Sequence, residues 1–363
     1  MTQAVLKKQE RVSLALRELF RKYGYAPYKM NKFEAYDLYV ANKDFLVSDG
    51  IITFNDTDGK LLALKPDVTL SIIKNATDGE TSKVFYNENV YRISGETKQY
   101  KEIMQVGLER IGDTDVYALY ETVYLAAQSL QAISENFVLD VSHLGILSAL
   151  FEEIGAGERF NGKIMRLLAQ KNAHGISEIC KEYAILEKQK DKLFTIVRTY
   201  GDIQTVLKTL APLCESKAMQ EAYNELSAVC GLLLKTELAE KIRLDFSVVH
   251  NMNYYNGFVF KGFVEGIGEG VLSGGQYDRL MARMNRKAGG IGFAVYLDLL
   301  EGFGECKSGF DVDALVLYDD ATDLKTLAQT VNSFIADGKS VNALKSQGKI
   351  RCKELVDLTG GGK

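Results

Sequence analysis

Residues 242–300 decide the fold of this chain: IRLDFSVVHNMNYYNGFVFKGFVEGIGEGVLSGGQYDRLMARMNRKAGGIGFAVYLDLL. Apolar or alternating segments separated by glycine-rich turns predict adjacent antiparallel strands. These segments are Ile242–Val248, Gly257–Val264 and Gly290–Val295. Gly274 and Gly275 precede Gln276 where a strand gives way to a helix, and paired glycines there allow the backbone to approach a small ligand. An ordinary β-meander with glycine turns is the alternative interpretation.

Three motifs in this stretch resemble known proteins: NYYNGFVFKGF (253–263), SGGQYDRL (273–280) and GGIGFAVYLDLL (289–300). They are similar to the histidine-recognition and third-motif region of histidyl-tRNA synthetases. They equally resemble the synthetase paralogues that serve as regulatory subunits of short-form ATP phosphoribosyltransferase. LKPDVT (64–69), YRISGETKQYKEIMQVGLERIG (91–112) and LDVSHLGIL (139–147) extend the resemblance over residues 1–300. It implies an α+β, class II synthetase-like antiparallel sheet flanked by helices.

Bulk composition excludes several classes of function. The 363 residues carry a net charge of -4, which is no footprint for nucleic acid, so no tRNA is expected. No apolar run is long enough to cross a membrane, and the polar start MTQAVLKKQE is not a signal peptide. Five scattered cysteines and three histidines form no metal-ligand pattern. We therefore expect a cytoplasmic protein with reduced thiols and without metal or cofactor.

The chain divides into segments of different character. Residues 145–240 show helical periodicity and no strand pattern, which predicts a helical insertion within a synthetase-like unit spanning 1–309. Residues 310–363 predict a strand, a helix and a strand, the start of an α/β unit shorter than the anticodon-binding domain of a synthetase. KMNKFEAYDLY (29–39) lies where the family has its dimer-forming first motif, so we expect a dimer.

The segment around LKPDVT carries two interpretations. Apolar runs 51–54 and 61–64 flank Asn55–Gly59 and predict a hairpin. Asp67 is then placed to cap a helix over 68–75, which is the plain structural interpretation. The resemblance implies instead that the Asp67 carboxylate meets the ammonium of a bound amino acid, with the Thr69 hydroxyl beside it.

Two long strands, 84–93 and 102–111, contribute further candidate residues. Gln105, Gly107 and Glu109 alternate along the second strand and must face one side of the sheet. A solvent-facing polar stripe is one interpretation of this pattern. The resemblance implies a histidine-shaped pocket, with Arg92 retained from the first strand and Tyr254, Tyr255 and Tyr277 as aromatic walls.

Residues that the resemblance assigns to ATP and to the substrate carboxylate are replaced. Ser94 stands for a glutamate, Gln99 for a loop arginine, His250 for the carboxylate-binding arginine and Leu299 for the third-motif arginine. Asn253 replaces an aspartate. An amide or an aliphatic side chain cannot substitute for a charged guanidinium fork on phosphate. No catalytic residue is therefore predicted.

The combined pattern favours a non-catalytic regulatory subunit of short-form ATP phosphoribosyltransferase, which acts in the first step of histidine biosynthesis. The resemblance implies a catalytic subunit as partner, a requirement for its activity, and feedback inhibition with histidine as effector. A histidyl-tRNA synthetase and an orphan synthetase-like paralogue are the alternatives.

Overall fold

The computed structural model describes residues 6–42, 50–93, 99–249, 254–303 and 309–360. Two compact units emerge, residues 1–303 and 304–363, and each is described by itself. We retain the predicted limits 1–309 and 310–363 as a proposal for the domains. Within the described ranges, no helix is both long and apolar enough to span a membrane.

Helices and strands alternate irregularly along the chain. The helices are α1 (Lys8–Lys22), α2 (Tyr36–Val40), α3 (Thr69–Asn75), α4 (Val116–Ile133), α5 (Leu144–Ile154), α6 (Glu158–Ala169), α7 (Ala173–Glu182), α8 (Glu187–Arg198), α9 (Ile203–Leu210), α10 (Lys217–Leu233), α11 (Asp278–Arg283) and α12 (Leu324–Ala336). The strands are β1 (Ala26–Pro27), β2 (Phe33–Ala35), β3 (Thr53–Asn55), β4 (Leu61–Leu64), β5 (Ser82–Ile93), β6 (Tyr100–Gly112), β7 (Phe137–His143), β8 (Tyr200–Asp202), β9 (Ile242–Asp245), β10 (Phe258–Val264), β11 (Leu272–Gln276), β12 (Gly289–Tyr296), β13 (Val312–Leu317), β14 (Val341–Leu344) and β15 (Cys352–Asp357).

One large sheet organises the first unit, in the order β1-β5-β6-β12-β11-β10-β7-β9-β8. Its central strands, from β5 to β7, are antiparallel neighbours. The predicted α+β class with an antiparallel sheet is therefore confirmed. The prediction for 242–248 is wrong in one respect, because β9 lies beside β7 and runs parallel to it rather than next to β10.

The two faces of this sheet bury different material. One face packs on α1 and α4 in an extensive apolar core that includes Leu16, Phe20 and Leu130. Gly262 of β10 lets Leu130 of α4 come close, since a Cβ at Gly262 would overlap the Leu130 side chain. The opposite face contacts a second, smaller core that contains Leu70, Tyr86, Tyr254 and Tyr277. The candidate site residues lie on this second face.

The stretch 145–240 is largely helical, as expected, and runs from α5 to α10. The expectation that it contains no strand is wrong. Tyr200–Asp202 forms β8, which pairs antiparallel with β9 and extends the edge of the large sheet. Three residues are too short a run to carry a recognisable alternation, so periodicity alone misses this strand.

A small antiparallel sheet, β2-β4-β3, stands beside the large one in the chain's first quarter. The predicted hairpin is confirmed: β3 pairs with β4 across a turn in which Gly59 has φ +77°, a conformation that favours glycine. The first-motif stretch supplies β2 and α2, and Phe33 of β2 is exposed. Dimerisation through it stays a prediction.

The second unit is a parallel α/β element. Its sheet has the order β14-β13-β15, with all pairs parallel, and α12 connects β13 to β14. The predicted strand, helix and strand are present, but the third strand, β15, is not predicted from the sequence. Lys353, Glu354 and Asp357 are exposed in β15 and interrupt its apolar alternation, which explains the omission.

Candidate functional site

The candidate residues converge on a buried acid, Glu109, at the centre of the second sheet face. We call the side chains of Tyr86, Asp67, Thr69, Arg92, Gln105, Glu109, Tyr254, Tyr255 and Tyr277 the Glu109 cluster. Glu109 is only 2% exposed. Its Oε1 accepts a hydrogen bond of 2.7 Å from the Thr69 hydroxyl, and its Oε2 accepts one of 2.7 Å from the Tyr277 hydroxyl. Residues far apart in sequence thus meet at one carboxyl group.

Glycines on neighbouring strands make room for these side chains. Gly292 of β12 pairs directly with Glu109 of β6, and a Cβ at Gly292 would overlap the Glu109 carboxylate. Gly290 seats the Tyr277 ring in the same way, and Gly275 seats the Tyr255 ring. Gly107 lies under the Tyr86 ring. The glycines of this stretch therefore allow the Glu109 carboxylate and the tyrosine rings to pack closely against the sheet.

Gly274 requires a correction. Successive strand residues face opposite sides of a sheet, so Gly274 and Gly275 cannot both face the cluster. Gly274 turns toward the main core, where a Cβ would meet Phe293 and Phe260. Of the predicted glycine pair, only Gly275 borders the candidate site.

Burial changes the ionisation of Glu109. Loss of hydration raises the pKa of this carboxyl from 4.5 to about 8, against the hydrogen bonds from Tyr277 and Thr69, which lower it. The negative charge of Asp67 raises the pKa further. At neutral pH the group is therefore mostly protonated, and a cationic or hydrogen-bonding ligand would favour its ionised form.

Asp67 lies at the start of α3, close to the position predicted. Helix α3 begins at Thr69, one residue later than expected, and Asp67 Oδ1 accepts a 2.9 Å hydrogen bond from the Leu70 backbone N–H. The capping interpretation of Asp67 is thus satisfied. Burial also raises the pKa of Asp67, while the nearby positive charge of Arg92 lowers it. The carboxylate therefore also faces the cluster.

Thr69 lies beside Asp67, as the resemblance implies, and its backbone N–H donates to the Asp67 carboxyl. Its hydroxyl in addition donates to Glu109. This contact links the helix N-terminus to the carboxyl at the other end of the predicted pocket. Asp67 and Glu109 consequently belong to one electrostatic group.

Arg92 and Gln105 occupy the other end of the cluster. Arg92 of β5 donates a 2.8 Å hydrogen bond from Nε to the Pro66 carbonyl oxygen, which holds it against the loop before Asp67. Gln105 is buried, at 4% exposure, and pairs across the sheet with Tyr296. Gln105 and Glu109 are four positions apart, or about 13 Å along the strand, and the Tyr86 ring lies over Gly107 between them.

Tyrosines enclose the cluster. Tyr254 contacts Tyr255 with ring centroids 4.5 Å apart, and contacts Tyr277 at 6.1 Å. Tyr86 is a cluster member that the sequence interpretation missed. It pairs with Gly107 across β5 and β6, and only the register reveals this position. Burial raises the pKa of Tyr86, Tyr255 and Tyr277, so their hydroxyls stay protonated and available as donors.

A second polar network, also missed, fixes the glycine strand ends. Asp278 Oδ2 accepts from Gln276 Nε2 at 2.7 Å, and Asp278 Oδ1 accepts from the Gly290 backbone N–H at 2.9 Å. Tyr277 lies between Gln276 and Asp278 in the sequence, and its own backbone N–H donates to the Gly290 carbonyl oxygen. The QYD letters therefore position the Tyr277 ring over Gly290.

The structure describes some of the residues that replace the family's ATP- and carboxylate-binding side chains. Leu299 lies in a 3-10 turn, Leu297–Leu300, and packs against the main core. Gln99 directly precedes β6. Ser94, His250 and Asn253 lie outside the described residues. Among the residues with described positions, no cluster of His, Cys, Asp or Glu could hold a metal ion.

Comparison with known proteins gives a consistent family. The sequence model described as Histidyl-tRNA synthetase matches residues 2–300. The ATP phosphoribosyltransferase regulatory subunit of Geobacillus thermodenitrificans is 30% identical, covering 86% of this chain and 80% of that protein.

Two solved structures share the fold. A protein described as an ATP phosphoribosyltransferase regulatory subunit/histidyl-tRNA synthetase from Bacillus halodurans has a TM-score of 0.78 at 23% identity, covering 97% of this chain and 94% of that one. A chain of the ATP phosphoribosyl transferase (HisG:HisZ) complex from Thermotoga maritima has a TM-score of 0.63 at 18% identity, covering 80% and 97%.

Proposed function

We propose how this chain works as a regulator, given that it belongs to the histidyl-tRNA synthetase family and, within it, to the regulatory subunits of ATP phosphoribosyltransferase. It is a non-catalytic subunit of an enzyme complex that serves histidine biosynthesis. The proposal is that it binds histidine in the Glu109 cluster and transmits that binding to a catalytic subunit.

One observation carries the proposal: the hydrogen-bonded triad of Thr69, Glu109 and Tyr277. A buried carboxyl without a functional reason is costly, and an apolar side chain would serve a mere core better. Glu109 can accept from an imidazole N–H when ionised or donate to an imidazole nitrogen when protonated. Imidazole titrates near pH 6.5 and suits such a partner.

The remaining groups suggest an orientation for the ligand. The imidazole would meet Glu109 and Tyr277. The ammonium would lie near the Asp67 carboxylate, with Gln105 as a further acceptor. The carboxylate would meet Arg92, whose guanidinium has donors besides the Nε that bonds Pro66. This arrangement assigns an ionic partner to each charged end of the amino acid.

The partner proposed is the short-form catalytic subunit of ATP phosphoribosyltransferase. The shared fold with a chain of the Thermotoga maritima complex supports this partner. We further propose that the catalytic subunit needs this chain for activity, that histidine inhibits the assembly, and that the chain forms a dimer. Inhibition requires histidine to bind one state of the assembly better than another. A cytoplasmic location also stays a prediction from the sequence.

Reconstitution tests the proposed partnership. The full chain is mixed with the short catalytic subunit from the same organism and followed by size-exclusion chromatography and by formation of phosphoribosyl-ATP. We expect a larger species and a gain in activity over the catalytic subunit alone. Two separate species without any gain would contradict the proposal.

A further inference from the structure

Tyr296 ends the candidate pocket on the side away from Glu109. On β12, the side chains that face the cluster are those of alternate residues: Gly290, Gly292, Ala294 and Tyr296. Gly290 and Gly292 carry no side chain, and the Tyr277 ring and the Glu109 carboxylate cover them, whereas Tyr296 raises its own large ring from the sheet. Its neighbour across the sheet is Gln105. The row of small residues on β12 that accommodates Tyr277 and Glu109 therefore ends at an aromatic side chain.

The Tyr296 phenol belongs electrostatically to the Glu109 cluster. Burial raises the pKa of Tyr296, and the Arg92 guanidinium and a hydrogen bond with Ser273 lower it. The Asp67 charge acts on the same phenol, and Tyr296 in turn raises the pKa of Tyr255. The hydroxyl thus lies among the groups proposed to hold the amino and carboxylate ends of a ligand.

An open depression of about 310 Å³ lies on the other side of Tyr296. Its lining includes Lys261, Ser273, Glu269 and Tyr296 itself. Lys261 pairs with Ser273 across β10 and β11, and a Cβ at Gly270 would overlap the Lys261 stem. The depression carries the Lys261 cation and the Glu269 carboxylate beside the apolar Phe263, and it is large enough for an additional ligand group.

We propose that Tyr296 is the specificity-determining residue that limits the ligand to a single amino acid. The Tyr296 ring separates the Glu109 cluster from the depression, so a group attached to the ligand carboxylate would collide with it. This inference rests on the proposed function, since it takes the imidazole to lie at Glu109 and the carboxylate to point toward Arg92 and Tyr296.

Two dipeptides test at which end of histidine Tyr296 prevents an extension of the ligand. Histidyl-glycine extends histidine from its carboxylate, toward Tyr296 and the depression. Glycyl-histidine extends it from the amine, toward Asp67. Isothermal titration of the full chain measures binding of histidine and of both dipeptides to the wild type, Tyr296→Ala and Tyr296→Leu. Tyr296→Phe is the matched control because it keeps the ring and loses only the hydroxyl.

We expect the wild type and Tyr296→Phe to bind histidine and to reject both dipeptides. Tyr296→Ala and Tyr296→Leu should bind histidyl-glycine at least about 10-fold more tightly than the wild type does, and should still reject glycyl-histidine. Tyr296→Leu retains a buried apolar side chain, so it answers the question if the alanine variant does not fold.

The outcomes separate this inference from the proposed function. If histidine binds but histidyl-glycine binds wild type and truncated variants equally, Tyr296 does not set the ligand length. The same conclusion follows if histidyl-glycine is rejected by all of them. If the wild type binds no histidine at all, the proposed function fails, and the inference with it.

Discussion

The Glu109 cluster and the turn Leu297–Leu300 differ in what they keep of the family's polar side chains. In the cluster, a buried carboxyl keeps hydrogen bonds from Thr69 and Tyr277, and Gly292 leaves space for it. In the turn, Leu299 packs against the apolar core, at a position that the resemblance assigns to an arginine on ATP. The difference indicates that groups suited to an imidazole and an ammonium are retained while this ATP anchor is not.

The largest effect expected from this difference is a complete lack of adenylation. Each lost charged donor typically costs a factor of about 10²–10³ in the chemical step, and several are replaced here. We expect no histidine-dependent exchange of pyrophosphate into ATP by the isolated chain. A histidyl-tRNA synthetase assayed in parallel is the positive control. Exchange at a comparable rate would show that the chain still binds and activates ATP despite these replacements.

The raised pKa of Glu109 should make the free energy of unfolding depend on pH. Because folding raises the pKa of Glu109 from 4.5 to about 8, the folded state holds a proton that the unfolded state releases. The wild type should therefore lose stability as the pH rises from about 5 to 8.5. Glu109→Gln cannot ionise and keeps partners in Thr69 and Tyr277. Relative to this variant, the wild type should lose on the order of 3–4 kcal/mol over that range.

Urea unfolding at pH 5 and pH 8.5 measures this change for both proteins. Tyr86 and Tyr277 also face Glu109, but burial raises their pKa well above this pH range, so they do not titrate in it. The Asp67 carboxyl interacts with Glu109, so its response to the loss of the Glu109 charge is part of the measured difference. Parallel pH profiles of the two proteins would mean that Glu109 is ionised and solvated in solution.

Filling the space beside Glu109 with a methyl group should have a smaller effect on stability. Gly292→Ala places a methyl group against the Glu109 carboxylate and the Leu108 carbonyl oxygen. Overpacking of this kind costs about 1–3 kcal/mol, and the displaced carboxyl should also weaken histidine binding. Gly231→Ala is the matched control, since a Cβ there meets nothing within 4 Å and the position lies inside helix α10.

Thermal unfolding and histidine titration of both glycine variants test this space. Gly231→Ala should be neutral or stabilise by roughly 0.5–1 kcal/mol, because alanine is the better helix former. Equal behaviour of the two variants would show that the Glu109 cluster tolerates change as freely as a helix surface.

Some features of the fold and of the site follow from local sequence patterns, and others do not. Gln105 and Glu109 share a strand face by alternation alone, and Gly59 lies in the predicted hairpin turn, where it takes up a positive φ. The positions of Tyr86 opposite Gly107 and of Asp278 against Gly290 depend on cross-strand register. The parallel placement of β9 beside β7 depends on the path of the chain between them. Neither register nor path is encoded in a local pattern, and both therefore required the structure.

Inhibition of the reconstituted complex by histidine tests most directly whether the Glu109 cluster is the regulatory site. Wild-type and Glu109→Gln complexes are compared in their inhibition curves, with assembly verified by size-exclusion chromatography. Loss of a charge-assisted hydrogen bond is worth about 1–3 kcal/mol, so the variant should need roughly 5- to 150-fold more histidine while assembling normally. Superimposable curves would contradict the account and place the effect of histidine elsewhere in the complex.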